Sequence, residues 1–215
     1  MSSDGLTYTV TLRDGLNYSD GTKITAEDFV YTWQRMVDPA TASEYAYLAS
    51  DSHLVNVGDI IADNKSVAEL VINSETNIVI YNLSNPSPQF KSLLSFSNFV
   101  PQHKEFVEKT GKQYGTKSDK QIYSGPFKVE NWNGTSGGFK LVKNNNYWDA
   151  KHVKTKTINI QTVKKPDTAV QMYKQGQLDF ASISSTSAIF NSNKKNKDVV
   201  TVPEATTSYM TYNET

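Results

Sequence analysis

"SDGTKITAEDFVYTWQRM", residues 19–36, decides the fold: a polar turn runs into a segment carrying Phe, Tyr and Trp. It can be a metal loop, a ligand platform or a structural corner. An EF-hand loop needs acids at positions 1, 3 and 5, Gly at 6 and Glu at 12. With Gly21 at position 6, Asp20 and Glu27 fall at 5 and 12, but positions 1 and 3 become Leu16 and Tyr18, which carry no carboxylate. The structural reading accounts for more residues. Thr25 is placed to N-cap a helix, and Asp28 to reach back as a variant capping box. Ile24 and Phe29 occupy the staple positions. Glu27 and Asp28 suit the positive end of the helix dipole and Arg35 the negative end. Ala26, Phe29, Val30, Trp33 and Val37 recur at helical spacing and predict one buried stripe, with Phe29 and Trp33 in the core. Asp38-Pro39 ends the helix, because the residue before proline avoids the α region.

Working outward, "LTYTVTLR" (6–13) alternates as a half-buried strand, and "NIVIYNL" (77–83) is β-branched and aromatic, a second strand. "ATASEYAYLAS" (40–50) suits a short helix, while "HLVNVGDIIAD" (53–63) is apolar without a decisive period. "NPSPQFKSLL" (85–94) is a proline-marked turn into a short helix, and a further helix is expected from Pro101 to Gly111. "GTKSDKQIYS" (115–124) is polar, and a domain boundary is expected there, dividing 1–120 from 121–215. Beyond it, "GPFKVENW" and "GGFKLVKN" flank a loop as a hairpin. "NNNYWDA" is a turn, "KTINIQTV" (156–163) a strand, and "DTAVQMYKQGQ" (167–177) a helix capped by Asp167 and ended by Gly176. "LDFASI" (178–183) and residues 200–214 read as strands. Strands and helices mix without strict βαβ alternation, which points to an α+β fold.

The 215 residues carry 22 basic and 22 acidic side chains and no cysteine. A neutral chain offers no field for nucleic acid or an anionic membrane. Without Cys there are no disulfides, thiolate zinc sites or cysteine nucleophiles. No apolar run of about 18 residues predicts a membrane span. His53, His103 and His152 are widely spaced and read as surface residues, not ligands. No nucleophile elbow, Walker sequence or dinucleotide fingerprint occurs. "GTSGG" (134–138) leads into no helix and reads as a hairpin loop, not a phosphate cradle. "KKNK" (194–197) reads as solvated surface. Neither an enzyme nor a cofactor is implied.

The order of elements resembles one family. From Tyr8 to Arg35 the chain matches, almost residue for residue, the pattern "ytFhLR.g.kwsDGtpvTAeDFvySwqR" of bacterial extracellular solute-binding proteins of the oligopeptide-binding class. "LSNPSPQFKSLL" is similar to that family's "L..P.p.f...L", "SGPFKVENW" to "GtGpYkl..w", and "LVKNNNYWDA" to "l.rNpnYWd". "TINIQTVKKPDTAVQMYKQGQLDFA" is similar to the strand, helix and "y.sGeiD" that follow. The resemblance implies a portion of a two-lobed, periplasmic-binding-protein-like clamp (type II). Residues 1–120 would be its small domain and 121–215 part of lobe I. The ends of the chain suggest an internal piece of a longer protein.

The family implies a substrate-binding component of an ABC transporter. It captures oligopeptides outside the membrane and hands them to permease subunits for uptake, in the periplasm or on a lipid anchor. The alternatives are a peptide pheromone or nutrient sensor on the same fold, or a binder of nickel or a dipeptide. By resemblance, the peptide-lining positions are Gln89 after the proline turn, Ser182, Ile183 and Ser184 after the "GeiD" match, and Tyr209. Ser182 stands where the family often places an aromatic. The family's partners for peptide termini lie largely in a domain outside this match, so the chain alone is expected to bind peptide weakly or not at all.

Overall fold

Three strands open the architecture: β1 (Thr7–Thr11), β2 (Ile72–Glu75) and β3 (Ile78–Asn82). They form an antiparallel sheet in the order β1-β3-β2, with Tyr8 opposite Tyr81 and Val10 opposite Val79. β2 and β3 form a hairpin across Thr76-Asn77, with Thr76 at φ 35°. The structure, a computed structural model, describes residues 1–135 and 137–203. Its contacts divide the chain into two units, Met1–Gln161 and the chain from Thr162.

Against this sheet lies α1 (Ala26–Val37), where the sequence places it. Its buried face is Ala26, Asp28, Thr32, Trp33, Met36 and Val37. Phe29 and Val30 flank it half-buried, so the expectation of a fully buried Phe29 is corrected. The stripe is turned because Thr32 is admitted to the interior: its hydroxyl lies 2.9 Å from both the Asp28 and the Val100 carbonyl oxygens. Trp33 is fully enclosed, stacked on Phe99 at 4.0 Å between ring centroids and edge-on to Tyr81 at 5.9 Å. Burying aromatic rings in contact supplies the dominant apolar area of such a core. Four short helices complete the surround: α2 (Ala46–Ser50), α3 (Val57–Ile61), α4 (Phe90–Leu93) and α5 (Lys104–Thr110). α5 begins three residues beyond Pro101, because the ring of His103 caps it, accepting the Phe106 N–H at Nδ1 over 3.3 Å. His103 is half-buried against Tyr18, with ring centroids 5.3 Å apart, which corrects its reading as a surface residue.

The acidic loop before α1 is a structural corner. Asp20 Oδ1 accepts from the Thr22 N–H at 2.9 Å and the Thr22 hydroxyl at 2.6 Å, closing the turn on itself. Gly21, at φ 93°, donates its N–H to the Tyr18 carbonyl at 3.0 Å.

A second antiparallel sheet, β4-β5-β6, follows: β4 (Phe127–Glu130), β5 (Phe139–Lys143) and β6 (Thr157–Ile160). Gly138, at φ 120°, lets the hairpin run so close to β6 that a Cβ there would lie 2.6 Å from the Ile160 carbonyl oxygen. The turn after β5 is built on buried Asn144. Its Nδ2 donates to the Gly125 carbonyl at 2.9 Å and its Oδ1 accepts the Asn146 N–H at 3.1 Å. Contacts bridge the polar stretch 115–124. The Ser19 N–H donates to the Tyr123 carbonyl at 2.7 Å, Asn146 Nδ2 to the Ser19 carbonyl at 3.0 Å, and the Arg13 guanidinium sits 3.7 Å above the Trp148 ring. The first unit runs on to Gln161 and holds both sheets.

In the second unit, α6 (Pro166–Lys174) has Lys165 at the N-cap and Pro166 in its first turn, so Asp167 lies inside the helix and is not its cap. Gly176, at φ 71°, follows its end. Residues 178–183 form no strand, contrary to the sequence expectation; irregular chain leads from there to α7 (Ala188–Asn193). Residues 201–203 are irregular as well, and the strands expected over 200–214 otherwise lie outside the described residues.

Candidate functional site

The segment between α6 and α7 has the composition of a strand without a partner. Leu178, Phe180 and Ile183 are apolar, yet no backbone hydrogen bond satisfies the peptide groups of residues 178–183 among the described residues. Such groups must be paired with water, chain or ligand. They border a cavity of ≈1070 Å³ within the second unit. Ser182, Ile183 and Ser184 all line it, so three of the sequence-proposed positions come together on one surface.

Their states differ. Ser184 is tied into the cap of α7: its Oγ lies 2.8 Å from Thr186 Oγ1, and its carbonyl accepts the Ser187 hydroxyl at 2.6 Å. Ser187 in turn caps α7 by accepting the Phe190 N–H at 3.3 Å. Ser182 is exposed, and its hydroxyl makes no hydrogen bond among the described residues. Ile183 is half-buried and contributes apolar wall. The sequence reading missed Phe180 and Phe190, which line the same cavity. Phe180, two residues before Ser182, is 80% exposed. Phe180 and Phe190 thus supply aromatic surface to the cavity that Ser182 also lines. Lys174 supplies a cation to the lining, and Asp179 and Asp198 two acids. A wall of apolar and aromatic side chains with a few polar groups, beside peptide groups without a backbone partner among the described residues, suits a ligand with a polar backbone and apolar side chains.

Gln89 stands on the other unit, exposed at the N-terminal boundary of α4 with no side-chain capping bond. Tyr209 lies outside the described residues. Among the described residues, no group of three or more His, Cys, Asp or Glu side chains is placed to hold a metal ion. Within the same residues, no helix is long and apolar enough to cross a membrane.

Comparison with known proteins bears on this arrangement. The family model described as bacterial extracellular solute-binding proteins, family 5 middle, matches residues 1–215. The chain belongs to that family. A dipeptide-binding protein of Lactococcus lactis is 45% identical over 100% of this family 5 chain, which spans 39% of that protein. The oligopeptide-binding protein OppA of Bacillus subtilis is 36% identical over 85% of the chain and 33% of its own length. A solved structure of Listeria monocytogenes OppA bound to peptide superposes with a TM-score of 0.86 at 37% identity, covering 92% of this chain and 38% of that one. The family 5 chain therefore has the α+β fold of a portion of the oligopeptide-binding proteins and spans well under half the length of these relatives. Its family and these relatives are solute-binding proteins.

Proposed function

We propose that this chain is part of the substrate-binding component of an ABC transporter, capturing peptides outside the membrane and delivering them to permease subunits. The observation that carries the reading is the run of peptide groups at 178–183, without a backbone partner among the described residues, beside a cavity with aromatic walls. Main-chain groups are common to all peptides, so a site that offers free N–H and C=O groups selects the class and not the sequence. Relatives named for dipeptides and for oligopeptides both match, so the proposal is the peptide class and not a length. Residues 1–120 act as the small domain and 121–215 as part of the first lobe, the two sheets of the first unit, which share no strand, falling one on each side of that division. Ser182, Ile183 and Ser184 are the peptide-contacting residues of the second unit, with Gln89 a separate candidate in the first and Tyr209 a candidate by resemblance. The protein acts without turnover, in the periplasm or tethered by a lipid outside the membrane.

Titrating tetra-alanine into the 15N-labelled chain tests the site. The amide signals of Ser182, Ile183 and Ser184 should shift while those of β4 and β5 stay in place. Unmoved signals at all three residues up to the solubility limit overturn the assignment. Tetra-alanine incubated with the chain should remain intact, as it does with heat-inactivated protein. Hydrolysis above that control overturns the reading of binding without turnover.

A further inference from the structure

A second concavity lies in the first unit, at the C-terminal end of α1. It measures ≈130 Å³, and its lining includes Arg35, Met36, Thr41, Ser43, Asn98 and Gln102, with no carboxylate among its walls. Arg35 Nη1 donates to Gln102 Oε1 at 3.0 Å, and its guanidinium carbon stands 5.3 Å from the centroid of Tyr114. Arginine carries five N–H donors in a planar fork, so one hydrogen bond leaves the others to be satisfied. No Asp or Glu oxygen lies within 4.0 Å of Arg35 among the described residues. Gln102, whose Oε1 is occupied, keeps its NH₂ as a donor. Thr41 makes no side-chain hydrogen bond among the described residues, and Ser97 only a long one, 3.4 Å to Asn98 Oδ1. Ser43 donates its hydroxyl to Met36 Sδ at 3.1 Å, so the donors left around the one cation are those of Thr41, Asn98 and Gln102, with Ser97 only loosely engaged. That chemistry suits an anion, and the planar fork suits a carboxylate.

An exposed aromatic cluster adjoins the concavity. The Tyr45 N–H donates to the hydroxyl of the lining residue Ser43, and Phe96 immediately precedes the lining residue Ser97. The Tyr45 ring lies 5.9 Å from Phe96 and 6.4 Å from Tyr47. Tyr45, Tyr47 and Phe96 are 41%, 58% and 40% exposed, a clustering of aromatic surface beyond a scatter of single residues. Phe96 also leans on the buried Phe99, at 6.5 Å, which fixes the platform to the core. A carboxylate seated against Arg35 leaves the group that bears it free to extend over the rim onto the aromatic cluster.

We propose that this surface is a binding site for a carboxylate carried on an apolar body: the carboxylate pairs with Arg35 and Gln102, and the body packs on Tyr45, Tyr47 and Phe96. It is separate from the cavity at Ser182–Ser184 and needs none of its residues. The ligand class includes aryl acids and the C-terminal residue of a peptide, which share this chemistry.

The test is a titration of the 15N-labelled chain, read at the Arg35 Nε–H and the Phe96 and Ser97 amides. The probes are N-acetylphenylalanine, phenylacetate and N-acetylphenylalanine amide. Either acid should shift these signals saturably, and the tighter of the two names the source. The amide, which keeps the ring and loses the charge, should bind at least tenfold more weakly. Arg35→Gln should weaken the acids by tenfold or more. Tyr47→Ala, at a largely exposed position, should weaken them severalfold while leaving the fold intact, so the proposal stays testable if Arg35→Gln does not fold. Equal binding of the amide and the acid, or acid binding unaffected by both substitutions, overturns the proposal.

Discussion

Asp28 is a carboxylate held in the protein interior, 7% exposed. Its Oδ2 accepts the Thr25 N–H at 2.7 Å and the Thr25 hydroxyl at 3.1 Å. Burial pushes its pKa above the ordinary value of 3.8, against the opposing pull of the two Thr25 hydrogen bonds and of His103 nearby. The folded chain therefore binds this proton more tightly than the unfolded chain does, so the contribution of Asp28 to stability falls as pH rises from 3.8 through the raised pKa. Asp28→Asn keeps an acceptor and removes the charge. Its stability relative to the parent should improve between pH 4 and pH 7, measured as urea midpoints; an unchanged difference would contradict the burial account. Thr25→Ala removes a donor to a buried carboxylate, a charge-assisted bond whose loss costs roughly 1.5–3 kcal/mol, more than the ~1 kcal/mol expected of an ordinary cap. The Thr25–Asp28 pair was legible from spacing alone. The role of His103 was not, because imidazole is outside the usual set of cap residues and its partner Tyr18 is distant in sequence. Asn144 hid for a similar reason: "NNN" reads as a turn, but nothing local says which Asn is buried. Asn144→Asp exchanges a donor to the Gly125 carbonyl for a like-signed oxygen. It should lower the melting temperature, whereas Asn145→Asp, at an exposed position, should leave it nearly unchanged.

Among the elements, α1 was predictable because cap, staple, dipole and period agree over one stretch. Trp33→Ala would open a cavity where four aromatic rings meet and should cost about 3–5 kcal/mol in chemical denaturation. A loss under about 1 kcal/mol would mean that the core can collapse around the gap. β2 escaped notice because "VINSE" is short and mixed; its identity comes from pairing with β3 across a two-residue turn. The reverse error fell on 178–183, whose apolar composition promises a strand that no neighbour among the described residues completes. Strand propensity describes how side chains fit a pleated, half-buried surface, so without a ladder partner it decides nothing. The cavity site was legible to the same degree: Ser182–Ser184 could be placed by resemblance, but Phe180 and Phe190 become its walls only through the fold of the chain between α6 and α7. Gly138 was rightly assigned to a hairpin loop, yet the sequence gives no hint that β6 passes behind it. Gly138→Ala forces a Cβ against the Ile160 carbonyl at an already positive φ. Amide exchange in β5 and β6 should accelerate in that variant, while exchange in β1 and β3 stays as it was.

For the whole molecule, the balance between enclosure and exposure sets what the chain does alone. A small-molecule site commonly covers about 70–90% of its ligand, and the hydrogen bonds inside gain strength from the exclusion of water. Here Phe180, Ser182 and Ser184 border the cavity yet are themselves exposed, so a peptide on that surface keeps water on one side. Peptide groups at 178–183 would then exchange water for ligand at a net gain of only ~0.5–1.5 kcal/mol each, set against the cost of immobilising the peptide. Tetra-alanine should bind in the millimolar range. Calorimetry that finds micromolar binding or tighter would show that these residues suffice for recognition. The same exposure has a second consequence. Phe180, Val200 and Val202 are 80%, 82% and 74% exposed within one unit, a grouping of apolar side chains that water does not favour. Sedimentation should therefore show association that grows with protein concentration. Phe180→Ser combined with Val200→Ser should suppress it without lowering the melting temperature, because neither side chain contributes to a packed interior. Association that persists unchanged in the double variant would place the sticky surface elsewhere, the exposed Tyr45, Tyr47 and Phe96 cluster being the next to test.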